Sequence, residues 1–180
     1  TIENARPDLV ISAAAYTAVD QAEDEPELAM AINGEAPGHI GRAAASVGAP
    51  VLHLSTDYVF DGSGEHAWRE EDPTGPIGVY GRTKLAGEQA LAASGAAHAI
   101  LRTAWVYSPF GNNFVKTMLR LAESRDALNV VKDQYGNPTS ALDIADALLA
   151  VAGRWQDAPG HGTNAVYHFS GTGSTNWADF

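Results

Sequence analysis

Tyr80 and Lys84 stand four residues apart in Val79-Tyr80-Gly81-Arg82-Thr83-Lys84, a spacing that puts both side chains on one face of a helix. A free tyrosine holds its proton to about pH 10, and an ammonium close by favours the phenolate and lowers that value. Such a pair could serve as a general acid for a substrate oxygen. A surface tyrosine at a helix start beside a solvated lysine would show the same spacing, so placement decides. The pair opens a helix directly after a long loop, and that loop leaves a strand ending in Ser55-Thr56-Asp57-Tyr58. A hydroxyl at that strand end can hydrogen-bond a carbonyl oxygen that Tyr80 also approaches. Capping of the strand end is the plainer use for Ser55 and Thr56.

The elements that must position these residues follow from periodicity. Leu9 to Ala14 is a short apolar run that reads as a buried strand. Pro26 opens a long alanine-rich helix on which Leu28, Ala31, Ile32, Ala36, Ile40 and Ala43 recur at helical spacing, and Gly48 ends it. Val51 to Ser55 is the next strand, 80–94 a helix, Ala99 to Leu101 a strand, and 114–124 a helix with Phe114, Met118, Leu121 and Ala122 on one face. Leu128 to Val131 reads as a further strand, 141–153 as a helix and Val166 to Phe169 as a last strand, with 174–180 as a capped helix start. Strands alternating with helices of this length imply an α/β fold, a doubly wound, mostly parallel sheet covered on both faces. Two turn-rich loops, 57–79 and 105–113, follow strands, where ligands sit in such sheets.

Composition narrows the partners. With no cysteine, disulfides, thiol nucleophiles and cysteine metal sites are excluded, which suits a cytoplasmic protein. A net charge of −11 argues against nucleic acid, whose phosphates need a basic surface. No apolar run reaches the roughly 18 residues of a membrane span, so no membrane partner is expected. The six histidines show no metal spacing. His53 and His168 fall on strands and read as structural; His39, His66, His98 and His161 read as surface or loop residues. Glu70, Glu71 and Asp72 read as a solvated run, Trp155 and Trp177 as packing residues, and Trp68 as a residue whose loop could border a ligand.

Several stretches together carry a resemblance: Ser12 to Asp20, Ser55 to Gly62, Val79 to Glu88, Leu101 to Tyr107, Gly111 to Phe114 and Asp133 to Thr139. In this order they resemble the dTDP-4-dehydrorhamnose reductase family, within the extended short-chain dehydrogenase/reductases. The resemblance implies an NAD(P)-binding Rossmann-like part over about 1–106 and 140–165, with a small substrate lobe over about 107–139 and 166–180. It implies NADPH or NADH as cofactor and a nucleotide sugar as substrate, reduced from a 4-keto-6-deoxy sugar on the way to dTDP-L-rhamnose. Thr56, Tyr80 and Lys84 fall on the family's catalytic hydroxyl, tyrosine and lysine, and Lys84 would also bind the nicotinamide ribose. Ala15, Tyr16 and Thr17 would line the cofactor. Thr56, Asp57, Trp105, Asn112 and Asn113 would meet the substrate. The resemblance allows a homodimer, and magnesium in some relatives, although no carboxylate cluster here matches a magnesium site. Related 4,6-dehydratases carry a glutamate directly after the Thr-Asp pair; Tyr58 stands there instead, which favours simple reduction over dehydration or epimerisation. A non-catalytic module like the regulatory subunit of methionine adenosyltransferase is the reading from another class.

Two glycine groups imitate a dinucleotide fingerprint. Gly34, Gly38 and Gly41 lie inside the long helix and follow no strand, so the context such a fingerprint needs is absent. Gly171-Thr172-Gly173 follows a strand but lacks the third glycine and reads as an ordinary strand-to-helix turn. The resemblance implies a phosphate-binding glycine turn on a first strand, ahead of anything in this sequence. The chain alone is therefore expected to lack a normal grip on cofactor, and both ends read as unfinished.

Overall fold

The strand–helix alternation read from the sequence is realised in a computed structural model that describes residues 1–180. In chain order the elements are α1 (Ile2–Ala5), β1 (Val10–Ser12), α2 (Val19–Ala22), α3 (Pro26–Ala29), a π-helical stretch Met30–Glu35, α4 (Ala36–Val47), β2 (Val51–Thr56) and a 3-10 turn Asp57–Val59. They continue with α5 (Val79–Ala92), β3 (His98–Thr103), β4 (Val106–Tyr107), α6 (Phe114–Ala122), β5 (Tyr135–Gly136), β6 (Thr139–Ser140), α7 (Ala141–Asp157), β7 (Ala165–His168) and β8 (Thr175–Asn176). The chain divides into two compact units, Thr1–Arg102 with Arg154–His168, and Thr103–Gly153 with Phe169–Phe180.

The first unit is built on a sheet in the order β1-β2-β3-β7. Its β1–β2 and β3–β7 pairs are parallel, with Val10 opposite Val51 and Ile100 opposite Val166. Those four residues pack with Ile40 and Ala44 of α4 and Leu91 of α5 into one apolar cluster. Side chains alternate across a strand, so the next residues on this face are Ser12 and His53, then Ser55 and Arg102. The face turns from apolar to polar toward the carboxyl ends of the strands, where a ligand site belongs in an α/β sheet.

The helix beginning at Pro26 runs to Val47, but its middle is wound as a π-helix that buries Asn33 and Gly34. A π-turn adds a residue to the helical repeat and reorients the side chains around it. Gly48 closes the helix with φ of 75°, a left-handed cap that glycine adopts without penalty. The glycine spacing that imitates a nucleotide fingerprint has a packing role instead. A Cβ on Gly34 would stand 3.4 Å from Ala86 Cβ, one on Gly38 3.0 Å from Ala90 Cβ, and one on Gly41 2.9 Å from Leu91 Cδ1. These positions form the groove in which α5 rests.

Several expectations are corrected. Leu128 to Val131 forms no strand, because no neighbouring strand pairs with it; Val131 is half exposed. His98 lies buried on β3, its Nδ1 2.9 Å from the Ala96 carbonyl, and not on the surface. The helix expected over 141–153 continues to Asp157. In place of a helix start from Ser174, Thr175–Asn176 pairs antiparallel with Tyr135–Gly136. Only then does Asn176 cap a turn, accepting the Asp179 amide at 3.0 Å. The segment Gly171 to Gly173 accordingly leads into a strand.

In the second unit β4 pairs parallel with β6 and β5 antiparallel with β8. Asn113 caps α6, its Oδ1 accepting the Lys116 amide at 3.2 Å. Trp105, Trp177, Phe114 and Phe180 form its aromatic centre. No helix of the chain is long and apolar enough to cross a membrane.

Candidate active site

Thr56 ends β2 and caps the turn that follows: its hydroxyl accepts the Tyr58 amide at 3.2 Å and donates to Asp57 Oδ1 at 3.1 Å. The turn carries Tyr58 across to α5, where its ring meets that of Tyr80 edge-on at 5.4 Å between centroids. Gly81 permits this approach, since a Cβ there would run into the Tyr58 carbonyl. The start of α5 has no side-chain cap of its own at Gly78. Glu23 supplies one from a distance, its Oε1 accepting the Val79 amide at 2.7 Å. Tyr80 is therefore fixed from the strand side by Thr56 to Tyr58 and from the helix side by Glu23.

One turn further on, Lys84 is 2% exposed and its Nζ donates to the Leu54 carbonyl at 2.7 Å. Burial pulls this ammonium down to about 8, with Glu88 opposing the fall. The expected lowering of Tyr80 by the lysine is not what this arrangement gives. Burial pushes the Tyr80 hydroxyl up to about 12; the Thr56 hydroxyl pulls it down, and Asp57 and Tyr58 push it further up. Lys84 turns its head group to the Leu54 carbonyl and is no source of a shift on Tyr80. Tyr80 is thus a well-protonated hydroxyl beside a second hydroxyl, which is the state a proton donor needs. Burial likewise raises the Asp57 carboxyl above its usual range.

Ser55, the other hydroxyl of the strand end, is turned away from Tyr80. It donates to Glu88 Oε1 at 2.5 Å, and Arg102 forks onto the same carboxylate, Nε to Oε1 at 2.9 Å and Nη2 to Oε2 at 2.7 Å. All three side chains are buried. The Arg102 guanidinium also lies over the Phe60 ring, 5.1 Å from its centroid.

The loop after β1 is tied to the same helix. Asn33 Oδ1 accepts the Tyr16 amide at 2.8 Å; its Nδ2 donates to the Tyr16 carbonyl at 3.0 Å and to Thr83 Oγ1 at 3.2 Å. Thr83 in turn donates to the Tyr80 carbonyl at 2.9 Å. The Tyr16 hydroxyl donates to Glu25 at 2.7 Å, which raises its pKa to about 12, while Ala15 is half-buried and Thr17 exposed. Ala15, Tyr16, Thr17, Thr56, Asp57, Tyr80 and Lys84 thus all belong to the first unit. Trp105, Asn112 and Asn113 belong to the second. There Trp105 stacks on Trp177 at 3.6 Å, Asn112 is exposed, and Asn113 spends one donor on the Ser108 carbonyl at 2.7 Å.

The long loop after β2 is anchored and not merely solvated. Trp68 stacks on Phe60 at 4.7 Å, and Glu70 Oε1 accepts the His168 amide at 2.8 Å. Glu70, expected in a solvated run, is thus anchored, while Asn33, Glu23 and the Glu88–Arg102 pair contribute without being marked by any motif. Two of them carried a signal: an asparagine inside a helix and an arginine inside an apolar strand each ask for a buried partner. No group of three or more histidine, aspartate or glutamate side chains could hold a metal ion.

The family model described as RmlD substrate binding domain matches residues 1–180, and the chain belongs to that family. It is 53% identical over 180 residues to dTDP-4-dehydrorhamnose reductase of Sinorhizobium fredii, covering 100% of this chain and 61% of the relative. It is 50% identical over 183 residues to the reductase of that name from Escherichia coli K12, covering 100% of this chain and 60% of the relative. The chain therefore spans about three fifths of the length of these curated relatives. Among solved structures it superposes on a dTDP-4-dehydrorhamnose reductase from Clostridium acetobutylicum with a TM-score of 0.92 at 41% identity, over 99% of this chain and 61% of that one. The Bacillus anthracis reductase, solved in complex with NADP, gives 0.88 at 40% identity, over 99% and 62%. The fold is the Rossmann-like α/β fold of these reductases.

Proposed function

We propose that this chain carries the proton-transfer machinery of an NAD(P)H-dependent reductase that converts dTDP-4-dehydro-L-rhamnose to dTDP-L-rhamnose. The observation that carries the reading is the protonated Tyr80 hydroxyl fixed beside Thr56 at the carboxyl end of β2. Lys84 suits a nicotinamide ribose: its ammonium has three donors and one is used, on Leu54. The carboxyl end of β1 continues into Ala15 to Thr17, and Asn33 fixes the Tyr16 backbone against the tyrosine helix. That surface supports a cofactor role for these three residues.

When bound, the nicotinamide supplies hydride to C4 of the keto-sugar. Tyr80 gives its proton to the oxygen on which negative charge develops, and Thr56 holds that oxygen by a hydrogen bond. Even with a pKa near 12, the phenol is a stronger acid than the sugar alcohol, so proton transfer to the alkoxide runs downhill. Lys84 keeps its ammonium close to the ribose, and Asp57 accepts from a sugar hydroxyl. Tyr58 cannot act as the carboxylate base that dehydration would require, which supports reduction alone. In the second unit Trp105, Asn112 and Asn113 are assigned to the nucleotide-sugar. A homodimer is an assembly the resemblance allows, and a net charge of −11 disfavours nucleic acid as a partner.

Tyr80→Phe, made in a full-length protein carrying this sequence, tests the reading. Keto-sugar-dependent NAD(P)H oxidation should fall roughly 100- to 10,000-fold while the thermal unfolding midpoint holds. Turnover equal to the unsubstituted protein would overturn the assignment.

A further inference from the structure

The carboxylate of Glu88 takes no part in the chemistry above, yet it lies buried beside it. It sits one turn beyond Lys84 on α5, on the same helix face. Three hydrogen bonds converge on it: one from Ser55 on β2 and two from Arg102 on β3. Ser55 follows Leu54, whose carbonyl accepts from Lys84. A lysine this deeply buried loses its charge readily, because low-dielectric surroundings disfavour the ammonium. A lysine without charge could not hold a ribose strongly.

We propose that Glu88, clamped by Arg102 and Ser55, is the counter-charge that keeps Lys84 an ammonium, and is thus a positioning residue for the tyrosine–lysine pair. Arg102 is indispensable to this role. Its guanidinium fork, with the Ser55 hydroxyl, engages both carboxylate oxygens and fixes where the negative charge sits. Of the groups facing Lys84, His53 on β2 is held neutral, pulled down to about 3 chiefly by burial and next by the lysine itself. Tyr80, one turn earlier on α5, is protonated. Glu88 is left as the group that raises the lysine against its burial. The inference rests on Lys84 belonging to the active machinery only for its consequence; the counter-charge itself is measurable without turnover.

Lysine labelled with carbon-13 at Cε reports each ammonium separately. Lys84, Lys116 and Lys132 are the lysines of this chain, and Lys84→Met assigns the buried one. The double variant Glu88→Gln/Arg102→Met removes both buried charges together, so neither is left unpaired. In it the Lys84 titration midpoint should fall by about one pH unit, with Lys116 and Lys132 unmoved. An unmoved Lys84 midpoint in a folded double variant overturns the proposal. Should that variant lose its cooperative melt, Glu88→Asp withdraws the charge by one methylene and should lower the midpoint by a smaller step, and no step overturns the proposal equally. Ser55→Ala leaves both charges and should leave the midpoint alone; a fall of the same size would show that packing and not charge sets it. The functional reading fails separately: a fallen midpoint with full turnover by Tyr80→Phe would keep the counter-charge and remove the reductase.

Discussion

Asn33 and Tyr16 exchange two hydrogen bonds, the Tyr16 amide to Asn33 Oδ1 at 2.8 Å and Asn33 Nδ2 to the Tyr16 carbonyl at 3.0 Å. The side-chain amide thereby pairs with a backbone unit as a neighbouring strand would. Its remaining hydrogen goes to Thr83, which bonds the Tyr80 carbonyl. Asn33 is 1% exposed, so a truncation leaves a cavity where its amide stood. Asn33→Ala is expected to destabilise the chain by about 2–4 kcal/mol, since it removes three hydrogen bonds, two to the Tyr16 backbone and one to Thr83. Urea unfolding measures this; a loss below 1 kcal/mol would mean the Tyr16 loop finds other partners.

His53 makes stability sensitive to acid. Burial, then the Lys84 charge, lowers it from 6.5 to about 3, so the unfolded chain binds this proton more readily than the folded one between those values. Stability should therefore be intact above about pH 6.5 and decline as pH falls toward 3. At about 1.36 kcal/mol per pKa unit the full effect is on the order of 5 kcal/mol. His53→Asn, whose amide can still meet Ser12, should flatten that decline in denaturant melts taken at successive pH values. An equal slope in the two proteins would assign the acid sensitivity to other groups.

Much of this was legible from residue spacing. The long strand-to-helix loop, Gly48 as a helix end and Tyr80 with Lys84 one turn apart on a helix all follow from local rules, because each depends on residues close in sequence. What spacing cannot carry is the partner of a buried polar group. Ser55 and Thr56 are adjacent hydroxyls, and only packing sends one to Glu88 and the other to the turn that faces Tyr80. The protonation of Tyr80 escapes spacing for a similar reason: four residues of separation fix a shared face, not where the lysine points. Leu128 to Val131 shows the reverse failure. An apolar run has strand propensity, but a strand also needs an edge to pair with.

Gly87 and Gly81 set how closely α5 approaches its neighbours. A Cβ on Gly87 would collide with the Asn33 carbonyl, and one on Gly81 with the Tyr58 carbonyl. Backbone is struck in both cases, so relief requires moving the helix. Each alanine substitution should destabilise by about 1–3 kcal/mol. Gly81→Ala should in addition cost turnover, because it shifts Tyr80 against Thr56. If Gly87→Ala loses stability and Gly81→Ala loses neither stability nor turnover, the Tyr58 turn is more yielding than its hydrogen bonds imply.

In the second unit Trp105 combines a left-handed backbone, φ 46°, with an indole stacked on Trp177 at 3.6 Å and 10°. A non-glycine residue there is strained, and the surroundings hold it: the Trp105 carbonyl accepts the Thr139 amide at 3.1 Å. Gly136 leaves room for the ring, whose Nε1 would lie 2.6 Å from a Cβ at that position. Two indoles in near-parallel contact couple their transitions and should give a strong near-ultraviolet circular dichroism signal. Trp177→Leu should abolish that signal, and Gly136→Ala should reduce it by pushing the Trp105 ring off its partner. If Trp105 meets the substrate as proposed, Gly136→Ala should also raise KM several-fold more than it lowers kcat in a full-length protein. A weakened signal with unchanged KM would leave the stack as packing alone and take Trp105 out of the substrate site.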